Sequence, residues 1–153
     1  MKMRTLKSIL VSCALLLMMI GDSAAAVDAR KIEELKNYNW EELMLQLDFC
    51  ATLLQNEPAA SAYIIVYDGR RSRRGEVQGW MHCIKNYLVK LRGMDAHRIR
   101  IVNGGYRRNK TVELWLVTSA DTLPKATPTV KPQDVKFRKG RLKKKNWRSL
   151  CNI

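Results

Sequence analysis

Ala62-Tyr63-Ile64-Ile65-Val66-Tyr67 sets six apolar residues in a row, half of them β-branched, and ends on Asp68-Gly69. A half-buried strand alternates apolar and polar residues with period two, and this run does not. It reads as a strand covered on both faces or set deep in a sheet. The rest of the chain must supply that cover.

Two helices are available for it. From Asn39 onward Trp40, Leu43, Leu47, Cys50 and Leu54 recur at three- and four-residue steps. Asn39 suits the N-cap, Glu41 and Glu42 suit the positive end of the helix dipole, and Pro58 ends the segment. Val77, Trp80, Met81, Ile84, Tyr87, Leu88 and Leu91 form a second apolar stripe, with Gly93 as the C-terminal stop. Arg98 to Val102 and Thr111 to Val117 then read as strands; in the latter Val112, Leu114 and Leu116 face one way while Glu113 and Trp115 face the other. Lys31 to Tyr38 is too short for periodicity to decide between a helical turn and an edge strand. The expected fold is a mixed α/β (α+β) domain over residues 30–118, of order (β)αβαββ, with an open sheet and two helices packed on it.

The N-terminus indicates a compartment. Lys2, Arg4 and Lys7 precede a short apolar run from Ile9 to Ile20, and Ser23-Ala24-Ala25-Ala26 follows. This is the layout of a cleavable secretory signal at residues 1–26; the run is shorter than the roughly 20 residues a spanning helix needs. Export leaves Cys50, Cys83 and Cys151 in an oxidising compartment. Their spacing matches no zinc pattern. Cys50 falls among apolar helix positions and reads first as a buried small hydrophobe. A Cys50–Cys83 bridge is the alternative.

Composition changes after Thr118. Pro124, Pro128 and Pro132 punctuate a Thr-, Lys- and Val-containing stretch, and a basic block with Lys143, Lys144 and Lys145 follows. From residue 119 to 153 ten Lys and Arg face two Asp, a surplus of eight, which is more than half of the chain's net charge of +14. The pattern predicts a disordered, Pro-containing tail with long-range attraction to a polyanion. Its Phe137 and Trp147 suit either a membrane interface or base stacking.

Catalysis finds little support. His82 and Cys83 are adjacent in a helix and so point about 100° apart, and His97 stands by itself in a loop. Gly104-Gly105 opens no helix, so it reads as a turn rather than a phosphate cradle. The chain is expected to be a non-enzyme without cofactor or metal.

Tyr87-Leu88, Gly93-Met94-Asp95-Ala96-His97-Arg98-Ile99, Gly104-Gly105-Tyr106 and Asn109 to Glu113 occur in that order at short spacing. The set resembles the second half of an OmpA-like domain, and more weakly the likeness extends back to Trp40. The resemblance implies a non-catalytic peptidoglycan-binding module that grips the diaminopimelate of the stem peptide. In that family an Asp after the second strand holds the ammonium and an Arg in the next helix holds the carboxylate. Asp68 falls at the first position; Trp80 falls at the second and cannot make a forked contact with a carboxylate. Candidate replacements are Arg70, Arg71, Arg73 and Arg74 in the loop after Gly69, and Arg107 and Arg108 before Asn109.

Each candidate has a plainer reading. Asp68 suits an Asp-Gly turn, Trp80 suits core packing, and the four loop arginines suit a solvated loop. The expected function is an exported, envelope-associated domain, periplasmic or at the outer envelope, binding peptidoglycan or another anionic envelope component. The alternative is a basic exported module whose tail, through Lys143, Lys144 and Lys145, binds anionic lipid, wall polymer or, as the weakest candidate, nucleic acid.

Overall fold

The computed structural model describes residues 29–118 and 123–151. The expected signal at residues 1–26 lies outside them. Among the described residues no helix is long and apolar enough to cross a membrane.

The domain is a four-stranded mixed sheet with helices on one face. Its strands are β1 (Ala29–Lys36), β2 (Ser61–Gly69), β3 (Ile99–Arg107) and β4 (Thr111–Val117). They stand in the order β1-β4-β2-β3; β4 is antiparallel to both neighbours, and β2 and β3 are parallel. The ambiguous segment near residue 31 is therefore an edge strand. It pairs Lys36 with Thr111 and Ala29 with Val117.

Helix α1 (Trp40–Asn56) starts on the expected cap. The Asn39 side chain accepts from the Glu42 amide at 2.8 Å, and the Glu42 carboxylate accepts from the Asn39 amide at 3.1 Å. Each bond satisfies a donor that the first turn leaves open. Helix α2 (Glu76–Asn86) runs into a wider π turn at Tyr87–Leu91 and stops at Gly93, whose φ of 66° only glycine adopts without strain. Leu43, Leu47, Leu54, Ile84 and Leu88 pack with Ala62, Ile64, Val66, Val112, Leu114 and Leu116 in one fully buried core. The alternation expected for β4 places its three aliphatic side chains on this helical side.

Tyr63, Ile65, Tyr67 and Val117 form a separate buried cluster, with Trp115 and Leu123 packed against it. Part of its cover comes from the segment expected to be a disordered tail. Residues 123–130 cross this side, where the Thr127 amide donates to the Tyr67 hydroxyl at 3.1 Å and the Thr129 and Val130 amides donate to the Tyr106 carbonyl at 2.9 and 3.1 Å. The chain then runs beside the loop that follows β2, with backbone bonds from Lys136 to Arg70, Arg138 to Ser72 and Leu142 to Arg74 of 2.9, 3.0 and 2.8 Å. It ends in the short helix α3 (Arg148–Cys151), joined to α2 by a Cys83–Cys151 disulfide.

The prediction of disorder is thus corrected: residues 123–151 are a strap with little regular structure that packs on the domain. Composition missed it because few apolar side chains do the anchoring. Leu142 is 8% exposed, and a Cβ on Gly79 of α2 would lie 2.5 Å from the end of the Leu150 side chain, so helix and strap pack closely there and a larger residue would displace that side chain. The cysteine alternative is corrected too, since Cys83 pairs with Cys151 rather than Cys50. Cys50 is a buried free thiol, pushed up to about 12 by burial.

Gly104-Gly105 is not the turn between the last two strands. Both lie inside β3, where the register slips as Val66 pairs with Asn103 and Asp68 with Tyr106. The slip accommodates an extra residue, with Gly105 at φ 85°. A Cβ on Gly104 would lie 2.4 Å from the Tyr67 ring, so its glycine admits that ring to the second cluster. The tight turn falls at Arg108–Lys110.

Candidate functional site

β2 ends at a polar cleft. Three backbone segments meet there: the loop after Gly69, the β3–β4 turn and Asn37 beyond β1. The Arg70 amide donates to the Arg108 carbonyl at 3.3 Å, and the Asn37 amide donates to the Lys110 carbonyl at 2.8 Å. Gly69 permits the approach, because a Cβ there would sit 2.9 Å from the Lys110 nitrogen. The Gly69 amide donates to the Ser72 hydroxyl at 2.9 Å and the Arg73 amide to the Glu76 carboxylate at 2.8 Å, which fixes the loop as α2 begins. The cleft is about 360 Å³ and is lined by Ser72, Glu76, Arg71, Arg108, Lys110 and Arg138, among others.

Asp68 lies just behind that lining. It is 3% exposed, and its Oδ1 has no hydrogen-bond partner among the described residues. Burial pushes its carboxyl up to about 6; the Ser72 hydroxyl and the Val77 amide draw it down, Glu76 raises it and Lys110 lowers it. A buried acceptor without a donor costs free energy unless something outside the chain completes it.

The cation that acts on Asp68 from this lining is Lys110, which sequence reasoning missed. Its Nζ lies 4.3 Å from the ring centroids of both Tyr38 and Trp80, a cation–π arrangement on two aromatic rings. Burial lowers its pKa; Glu76, Asp68 and Glu42 oppose this and Arg138 adds to it. Among the described residues the Tyr38 hydroxyl and the Trp80 Nε1 are also buried without hydrogen-bond partners. Tyr38 is held far above the usual phenol range by burial first, then by Asp68 and Glu76. Three unpartnered polar atoms thus accompany one half-buried ammonium. Trp80 is core, at 5% exposure, but its ring also helps seat that ammonium.

The arginine candidates divide. Arg71 and Arg108 line the cleft, whereas Arg70, Arg73 and Arg74 are exposed on the loop outside its lining. Arg74 lies over the Phe137 ring at 5.1 Å. Arg107 is excluded from the cleft by a different engagement: its guanidinium sits 3.7 Å from the Tyr67 ring centroid, donates to Glu113 at 2.8 Å and donates to the Thr127 hydroxyl at 2.6 Å. Lys31, the Tyr67 hydroxyl and the Trp115 Nε1 also converge on Glu113. Arg107 therefore balances a buried carboxylate beneath the strap. Lys143, Lys144 and Lys145 are exposed.

A second, more apolar cleft of about 550 Å³ lies between α1 and the end of α2, beside Met44, Leu45 and Leu91. Its polar rim, Asp48 and Arg92, is internally satisfied by bonds of 2.5 and 2.7 Å.

His82 and Cys83 do not form a reactive pair: Cys83 is in the disulfide, and the His82 Nε2 lies 2.8 Å from the Asn86 side chain. Among the described residues no group of three His, Cys, Asp or Glu side chains could hold a metal ion. The sequence matches no protein-family model, and no curated protein matches it.

Proposed function

We propose that the protein is an exported, non-catalytic binding module of the cell envelope, and that the cleft at the end of β2 takes a zwitterionic amino-acid end such as that of a peptidoglycan stem peptide. The observation that carries the reading is the buried Asp68 carboxylate, one oxygen of which has no partner among the described residues, behind a cleft lined by Lys110. A zwitterion brings an ammonium for the carboxylate and a carboxylate for the cation. The OmpA-like resemblance supplies the ligand class. Its helix arginine is absent, and Lys110 seated on Trp80 brings a cation to that position from the β3–β4 turn.

Asp68 holds an ammonium only when ionised, so binding is expected to strengthen as pH rises through about 6. The test is retention of the exported chain on purified murein sacculi at pH 5 and pH 7.5. Asp68→Asn and Lys110→Gln should each release most of the protein at pH 7.5. Undiminished retention of both folded variants would overturn the reading.

A further inference from the structure

The Arg loop and the strap are far apart in sequence and adjacent in space. Arg74 bridges Arg141 in parallel, and the Arg138 Nε donates to the Arg71 carbonyl at 2.8 Å. With the three backbone bonds from Lys136, Arg138 and Leu142, these contacts align two strongly basic segments. Arg70, Arg71, Arg73 and Arg74 stand exposed beside exposed Lys136, Arg138, Lys139 and Arg141, and Lys143, Lys144 and Lys145 extend the same run. Residues 70–74 and 136–145 contain no acid; Asp68 and Glu76 flank the first stretch and Asp134 the second. Among the described residues the single ion pair of this group joins Arg138 to Glu76 at 3.9 Å.

Like charges on adjacent segments repel one another, the more so within a Debye length of about 8 Å. The Leu142 anchor, the backbone bonds and the Cys83–Cys151 disulfide hold them together against that repulsion. A dense polyanion would relieve it. The aromatic side chains indicate which kind. Phe137 packs edge-on against Tyr106 and beneath Arg74, and Trp147 packs on His82 with its Nε1 buried. Neither ring is left free to stack on a base, and the surface is made of loop and strap with no long helix to enter a groove. Exposed cations on irregular backbone suit charges that can rearrange to meet them, as lipids do by lateral diffusion in a bilayer.

We infer that the Arg70–Arg74 loop and the Lys136–Lys145 strap form one composite docking surface for the phosphate headgroups of an anionic bilayer. The surface shares Arg71 and Arg138 with the lining of the cleft but does not draw on Asp68. It is tested by co-sedimentation of the oxidised exported chain with vesicles of phosphatidylglycerol and phosphatidylcholine, against phosphatidylcholine alone, over a salt series.

Binding should require the anionic lipid and weaken steeply with salt. Replacing Arg70, Arg73 and Arg74 by Gln should lower the partition coefficient on the order of a hundredfold, as should replacing Lys143, Lys144 and Lys145 by Gln. Replacing the three arginines by Lys should restore it, and Asp68→Asn should leave it unchanged. The inference is overturned if the loop Gln variant, folded by circular dichroism, binds like the parent, because the strap alone would then suffice. Equal binding to phosphatidylcholine, or tighter binding to a single-stranded oligonucleotide at the same salt, would also overturn it.

Discussion

Replacing Asp68 with Asn should favour the folded state increasingly as pH rises. The Asp68 carboxyl titrates near 3.8 in the unfolded chain and is raised to about 6 in the fold, chiefly by burial. The folded state therefore holds this proton more tightly than the unfolded state does. Its contribution to stability is complete below about pH 3.8 and is lost as pH rises to about 6. At roughly 1.4 kcal/mol per pKa unit, the loss is about 3 kcal/mol at neutral pH.

Asn cannot ionise, so its stability relative to the parent should rise by that amount between pH 3.5 and pH 7.5, whatever fixed offset the amide introduces. For a domain of this size the rise corresponds to about ten degrees in Tm. Thermal unfolding of both proteins by circular dichroism, disulfide intact, measures it directly. A Tm difference constant over that pH range would refute the reasoning, because Asp68 would then be ionised in the fold without penalty. A gain in stability coupled to loss of murein retention would assign the strain at Asp68 to binding.

Denatured, unreduced protein lacking residues 1–26 should show one reactive thiol, Cys50; three would exclude the bridge. Replacing Cys83 and Cys151 together by Ser should cost about 2–4 kcal/mol in chemical denaturation, since the disulfide closes a loop across 68 residues. Arg107→Gln should cost about 3 kcal/mol in the same assay by leaving Glu113 short of its closest cation, while murein retention of the folded fraction is unchanged. Gly104→Ala should cost about 1–3 kcal/mol in urea unfolding, because its new methyl group meets the Tyr67 ring.

The elements that bury a continuous stripe were readable in the sequence. The Asn39 cap, both helical stripes, the six-residue apolar run and the alternation in β4 all describe local backbone periodicity. The strap was not readable that way. Its contacts come from widely spaced residues such as Leu123, Val130, Leu142 and Cys151, set in a polar and basic context whose composition signals solvation. Two hints were nonetheless present: an unbroken apolar strand that required cover on both sides, and a third cysteine near the chain end. Lys110 was hidden for another reason. A lone lysine in a turn has no pattern, and its role arises only when Gly69 lets that turn close against Trp80 and Tyr38. Arg107 and Arg108 are adjacent in sequence, but Arg107 is the last residue of β3 and Arg108 the first of the turn, which separates them into a buried counter-ion and a cleft residue.

The strap also sets the order in which the domain can be completed. A ribosome delivers β2 early and residues 123–130 nearly last, yet the latter help close the side of the sheet that carries Tyr63, Ile65 and Tyr67. Until they arrive, a nascent chain that already holds every strand exposes part of that cluster to water. Truncation after residue 118 reproduces this unfinished intermediate permanently. Such a fragment is expected to self-associate through the uncovered side, so the strap is a late folding step of the domain as well as a carrier of charge.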